Sequence, residues 1–340
     1  MKSIYRKSAI KRIVFFRFDR MGDLIVSTPA LRALRKSFPE SEITAVLSIT
    51  NAKVIRDSDL VDHVIIYDNN KLDVLRKLRK LKPQVSVVLS PKSFAYIAGL
   101  LMGASIRVGL VMTQWPLKKF IYNKLLTRSF IYSRRNYVSS KVLHHADIMF
   151  NVVKLLGVKK GTVSYEVAFN EKPYHLLKKI LGHEKVLGIH LDDRWFNEGW
   201  SASTFQRLVA HIKSVWSGRI VIAHTIRNNI GVTLINENNL DQLSQLDVVY
   251  LDNPSFDYWQ ALIKVSDIWL TTDGGSIHVA SSVGTPVVTM IEKNDYFERS
   301  HEWHPRGVPY RLVCRDNDAD KTSKKIIEAV ASLAVDRIAV

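Results

Sequence analysis

The chain has 340 residues, 46% of them apolar and 24% charged, with a formal net charge of +17. This composition excludes a disordered chain and leaves room for two domains. No run of about 18 apolar residues argues for a transmembrane helix, and a single cysteine, Cys314, cannot form an intramolecular disulfide and is a poor start for a metal site.

A basic N-terminus leads to the apolar run Ile13–Phe16, too short for the core of a signal peptide. A strand is predicted over Arg12–Arg17, then a turn carrying Gly22-Asp23 onto an apolar helix that starts near Leu24 and ends before Pro39. Further strands are predicted at Ile43–Ser48, His63–Tyr67, Val85–Leu89 and Arg107–Leu110, with helices starting near Lys71 and Lys92. Val142–Leu156 reads as a longer helix ending at Gly157, and Gly161–Tyr174 as a linker.

The charge is uneven along this half. Residues 1–165 hold 30 Lys and Arg against 10 Asp and Glu, whereas residues 166–340 hold 19 against 22. Between Val74 and Ala146 there are 14 basic residues and no acid. Such a surface attracts polyanions: anionic lipid headgroups, a phosphorylated glycan or nucleic acid. The interleaved Phe94, Trp115, Phe120 and Tyr122 suit a membrane interface or single-stranded nucleic acid, and charge alone does not choose.

The second half opens on a strand at Val186–His190 and a helix from Ser201 to about Trp216. Strands follow at Arg219–Ala223, Val248–Leu251, Ile268–Thr271 and Val287–Met290, then a terminal helix over Asp320–Ala334. Alternation of strand and helix predicts a parallel sheet in each half. The expected fold class is α/β, with domains at 1–165 and 166–340 facing across a cleft.

Two turns carry chemistry. Asp23 lies where the first strand ends, the edge at which open α/β sheets bind ligands. It reads as a catalytic base, or as an acid favouring a helix N-terminus. In Thr272-Asp273-Gly274-Gly275-Ser276-Ile277-His278, a strand ends, two glycines permit a tight turn, and a helix starts at about Ser276. Free backbone N–H groups there would take a diphosphate, although a purely structural turn has the same pattern. His278 fits a phosphate contact or a satisfied buried histidine. The segment is neither a Walker loop nor a G-x-G-x-x-G fingerprint.

Taken together, the two turns resemble the family 9 glycosyltransferases, the ADP-heptose:lipopolysaccharide heptosyltransferases. The matching residues are Gly22-Asp23, Thr28-Pro29 and Phe38-Pro39-Glu40-Ser41-Glu42-Ile43, then Asp273, Gly275, His278, Ala280 and Gly284–Val288, over about Lys11 to Val313. Weaker echoes are His145 and a loop from His190 to Trp200. The resemblance implies a GT-B fold of two Rossmann-like domains, acceptor-binding at 1–165 and donor-binding at 166–340. It implies an inverting, metal-independent transfer of heptose or a related sugar to a lipopolysaccharide-core or other lipid-linked glycan, with no cofactor. Asp23 becomes the general base. Arg194, Thr272, Asp273, Gly274, Gly275, Ser276 and His278 would hold the nucleotide-sugar donor. Gly22, Lys118, Lys119, Arg134, Arg135 and His145 would serve the anionic acceptor. A cytoplasmic enzyme, peripheral at the inner face of the plasma membrane, is the implied setting. The competing reading is a non-enzymatic binder of nucleic acid or anionic surfaces through the basic half.

The donor side departs from the family pattern in four places. Glu198-Gly199-Trp200 lacks a lysine before the tryptophan, leaving Arg194 as the cation of that loop. Ala223–Asn229 replaces a Gly-rich turn with a glutamate. Asp-Gly-Gly stands for Asp-Thr-Gly, and Ile291-Glu292 for Phe-Gly.

Overall fold

A computed structural model describes residues 7–114, 116–133, 142–161, 164–197, 199–226, 230–244 and 246–336. The chain divides into two compact units, Met1–Ala168 and Phe169–Val340.

In the first unit, β1 (Arg12–Phe16), α1 (Met21–Ile25), α2 (Thr28–Ser37), β2 (Glu42–Leu47), α3 (Ile49–Ala52) and β3 (His63–Ile66) lead to α4 (Lys71–Leu81). Then come β4 (Val85–Val88), α5 (Ser93–Leu101), β5 (Ile106–Met112), α6 (Pro116–Leu125), β6 (Arg128–Tyr132) and α7 (His145–Lys154). The six strands are parallel, in the order β3-β2-β1-β4-β5-β6. That is the doubly wound order, and it reverses between β1 and β4. Val14, Phe16, Val46 and Val88 pack under α4, α5 and α6, contributing Val74, Leu78, Ala95, Tyr96 and Tyr122 to the same core.

The single helix expected to start near Leu24 is two helices. Pro29 has no N–H to give the carbonyl one turn back, so the chain breaks at Val26-Ser27 and restarts with proline in the first turn of α2. Thr28 Oγ1 instead donates to Ile25 O at 2.7 Å. α6 and β6 have no counterpart among the elements predicted from the sequence. β6 is an edge strand with only one buried residue, and α6 buries only Tyr122, so neither has a clear apolar period.

In the second unit, α8 (Glu171–Leu181), β7 (Val186–Leu191), α9 (Ala202–Val215), β8 (Arg219–His224), β9 (Leu234–Ile235) and β10 (Val248–Asp252) come first. α10 (Phe256–Val265), β11 (Ile268–Thr272), α11 (Gly275–Val283), β12 (Val287–Ile291), α12 (Tyr296–Glu302), β13 (Tyr310–Cys314) and α13 (Ala319–Asp336) follow. Glu171–Tyr174, expected in the linker, is the first turn of α8, capped by Asn170. The seven strands are parallel, in the order β13-β12-β11-β7-β8-β10-β9, with the reversal between β11 and β7. Gly284 ends α11 in the left-handed conformation, φ 83°, which glycine adopts without steric cost. Among the described residues no helix is long and apolar enough to cross a membrane.

Candidate functional site

Each unit gathers polar side chains at its own strand-order reversal. In the first, Arg17 leaves the end of β1 and is 2% exposed. All five of its N–H bonds are used. Nε donates to Asp23 O at 3.0 Å, and Nη1 to Leu89 O at 2.6 Å and Asp19 Oδ2 at 3.2 Å. Nη2 reaches Asp23 Oδ1 at 3.3 Å and His145 Nε2 at 3.2 Å, a contact that requires an unprotonated Nε2.

Asp23 therefore has a defined orientation. Its Oδ1 faces Arg17, and its Oδ2 accepts the Arg20 N–H at 3.1 Å as half of a capping box for α1. The side chain keeps 20% of its surface exposed. A carboxylate offers about four lone-pair directions, and these contacts use two. The helix-capping contact and a partly exposed carboxylate thus coexist in one residue.

Asp19, which belongs to neither motif, is a second carboxylate here. Its Oδ2 accepts from Arg17 and from Ser90 Oγ at 2.8 Å, while Oδ1 is buried without a hydrogen bond. Burial holds its carboxyl above the usual 3.8, against the lowering pull of Arg17 and Ser90. The acid lies four residues before Asp23, but only the pairing of β1 with β4 brings Ser90 to it. His145 is buried and bonded to Arg17. Lys118 and Lys119 are exposed on α6, and Gly22 lies within α1. Arg134 and Arg135 lie outside the described residues.

In the second unit, the turn after β11 meets the loop after β7. Gly274 is the N-cap of α11, where the first N–H groups have no intrahelical partner. The Arg194 guanidinium lies on it and donates to Asp273 O and to Asp192. A Cβ built on Gly274 would fall 2.5 Å from Arg194 Nη1, so glycine is what lets the cation approach. Asp192 accepts from Thr272 Oγ1 at 3.0 and 3.1 Å, and Asp273 Oδ2 lies 3.3 Å from Arg299 Nε. Two guanidinium groups, Arg194 and Arg299, thus stand beside one helix N-terminus, each linked to a carboxylate.

Ser276 and His278 are both 3% exposed. Ser276 Oγ is 2.7 Å from Thr271 Oγ1, and His278 packs near Trp303. Both side chains are therefore turned into the interior of the unit.

Arg315 is a further residue that the motifs did not mark. It is 1% exposed at the end of β13 and donates to Asn197 O at 2.7 Å and Arg194 O at 2.8 Å. Its Nε lies 3.4 Å from Glu292. One departure from the family pattern, Glu292, is therefore the partner of the cation that braces the Arg194 loop. Glu198 and residues 227–229 lie outside the described residues.

At the start of that loop, His190 Nε2 donates to Thr225 Oγ1 at 3.1 Å, whose hydroxyl donates to Leu191 O. Burial pushes the imidazole down from 6.5 to about 4. The folded-state value lies below the unfolded one. The stability His190 contributes is therefore complete above pH 6.5 and lost as the pH falls toward 4. Unfolding free energy in urea is expected to drop by up to about 1.4 kcal/mol per pH unit across that window. His190→Gln should flatten the slope, and an equal slope in the variant would clear His190 of the effect.

Two doubly wound parallel sheets, each with its polar cluster at the strand reversal, define the GT-B class of fold. The likeness to known proteins runs the length of the chain. A glycosyl transferase of family 9 from Veillonella parvula superposes with a TM-score of 0.72 at 17% identity, over 96% of this chain and 97% of that one. The ADP-heptose lipopolysaccharide heptosyltransferase II of E. coli gives 0.69 at 12% identity, over 96% and 99%. A Haemophilus influenzae protein that carries a glycosyltransferase name, without donor or acceptor, is 20% identical over 343 residues, 95% of this chain and 94% of the relative. No protein-family model matches. The resemblance to family 9 read from the two motifs thus extends to the fold of the whole chain.

Proposed function

We propose that this protein is an inverting glycosyltransferase that moves heptose or a related sugar from a nucleotide-sugar donor to an anionic, lipid-linked glycan such as lipopolysaccharide core. The first unit takes the acceptor and the second the donor. The observation that carries this reading is the placement of each family motif at a strand-order reversal: Asp23 beside Arg17 in one sheet, the α11 N-terminus beside Arg194 in the other.

In the reaction, Asp23 takes the proton of an acceptor hydroxyl as that oxygen attacks the anomeric carbon. The bond from that carbon to the diphosphate oxygen breaks, with inversion. Negative charge grows on the leaving nucleoside diphosphate, where the α11 N–H groups and Arg194 stabilise it. Arg194 takes the place of the missing lysine, and Arg299 supplies a second cation. The setting is the cytoplasmic side of the plasma membrane, where a lipid-linked acceptor would be met. A binder of nucleic acid would account for the basic charge but would leave both clusters without a role.

A thermal-shift screen of nucleoside diphosphates and nucleotide sugars tests the donor half. Ligands that bind the native state raise its melting temperature, so ADP and ADP-sugars are expected to do so and inorganic phosphate to do little. Gly274→Ala is expected to weaken that shift. Its Cβ displaces the Arg194 guanidinium, the end of a flexible chain, so the unliganded fold should lose less than about 1 kcal/mol. A panel in which no nucleotide shifts the wild-type protein would overturn the donor assignment.

A further inference from the structure

α4, α5 and α6 pack side by side on one face of the first sheet. The Tyr96 and Tyr122 rings stack at 4.0 Å and join α5 to α6, and Ser93 Oγ is 2.7 Å from Tyr122 Oη. Helices in such a layer turn their far side to solvent, and that side is ordinarily polar. Here it is apolar. On α5, Ile97, Leu100 and Leu101 are 44–45% exposed. On α6, Leu117, Phe120 and Ile121 are 73%, 64% and 43% exposed. Both triplets have i, i+3, i+4 spacing, which places each on one stripe of its helix.

Cations surround these stripes. Lys118, Lys119 and Lys124 are exposed on α6, with Lys124 Nζ 5.8 Å from the Phe120 ring centroid. Arg79 of α4 donates to Leu101 O at 2.8 Å, at the end of α5. Neither α5 nor α6 carries an acid, and none occurs between Val74 and Ala146.

We infer that the outward face of α5 and α6 docks on an anionic lipid bilayer, with the aliphatic side chains entering the headgroup–acyl boundary and the lysines meeting lipid phosphates. Contiguous exposed apolar surface rimmed by polar residues marks an interaction site. Lysine is depleted at the centres of protein–protein interfaces, but three lysines interleave with the apolar residues here. Long lysine stems suit a bilayer boundary, since they lie along apolar surface with the ammonium at headgroup level. Nucleic acid would call for stacking rings, and five of the six side chains are aliphatic.

This inference deepens the lipid-linked acceptor of the preceding section, and it is tested apart from catalysis. The full chain is floated with vesicles of phosphatidylcholine alone and with vesicles that also contain phosphatidylglycerol, across a salt series. Binding is expected to need phosphatidylglycerol, to weaken with salt, and to keep a salt-resistant remainder from the aliphatic contacts. The triple variant Leu117→Gln, Phe120→Gln, Ile121→Gln should bind at least about tenfold more weakly and lose the remainder. Its melting temperature and its ADP-induced shift should match those of the wild type. Ile97→Gln with Leu100→Gln serves as a second variant on the neighbouring helix, should the first fail to fold.

Wild-type protein that ignores phosphatidylglycerol vesicles overturns the proposal, as do variants that bind them as well as the wild type. So does a wild-type dimer, seen by sedimentation, that the triple variant turns into a monomer with unchanged vesicle binding, because the patch would then cover a second copy. Vesicle binding that follows these expectations in a protein that no nucleotide shifts would sink the transferase reading and leave the docking surface standing.

Discussion

Asp23→Asn is expected to lower turnover by about 10²–10⁴-fold, the range supplied by a positioned general base, while the ADP-induced thermal shift stays as in the wild type. The amide keeps the size of the carboxylate, and its oxygen can still accept from Arg17 Nη2, as Oδ1 does at 3.3 Å. It loses the capacity to take a proton, and its NH2, standing where Oδ2 was, no longer accepts the Arg20 N–H of the α1 cap. Initial rates on a lipid-linked acceptor, read beside the thermal shift, separate loss of chemistry from loss of binding. Rates equal to the wild type would remove Asp23 from the mechanism. Asp19→Asn is the control, since Asp19 is the other carboxylate bonded to Arg17. If it alone stops turnover, the base is Asp19.

Arg17→Met is expected to destabilise the first unit by about 3–5 kcal/mol, the cost of leaving a buried charge without its partner. The stranded group is Asp19, whose side chain is only 9% exposed. Lysine should not restore the arrangement, because a single ammonium cannot reach five acceptors spread over Asp19, Asp23, Leu89 and His145. The double variant Arg17→Met, Asp19→Asn removes the stranded charge and should recover part of the stability in urea denaturation. Turnover should not recover with it, because Asp23 has still lost the guanidinium that orients it. Recovery of both together would reduce Arg17 to a structural role.

Most of the central strands were legible because parallel strands covered on both faces read as continuous apolar runs: Ile13–Phe16, Val85–Val88 and Val287–Ile291 have every residue buried. The elements without a predicted counterpart include α10, whose Gln260–Ile263 are buried, and several at the margins. β6 and β13 are edge strands with mixed burial, and α6 faces mostly outward. The break between α1 and α2 was written in Pro29, but a proline near a helix start signals either a start or a stop, and only the Thr28–Ile25 bond distinguishes them.

By itself, the sequence determined the α/β class, two units, the two turns bearing Asp23 and Asp273, and the charge imbalance of the first half. These are local properties, carried by apolar period, glycine position and composition. The tertiary structure alone decided which strands are neighbours, and therefore which distant side chains meet. It brought Ser90, Leu89 and His145 to Arg17, Asp192 and Arg194 to Gly274, and Glu292 to Arg315. It also turned Ser276 and His278 inward and the aliphatic residues of α5 and α6 outward. Partners so far apart in sequence are chosen by the order in which strands pair, and strand order leaves no local pattern to read.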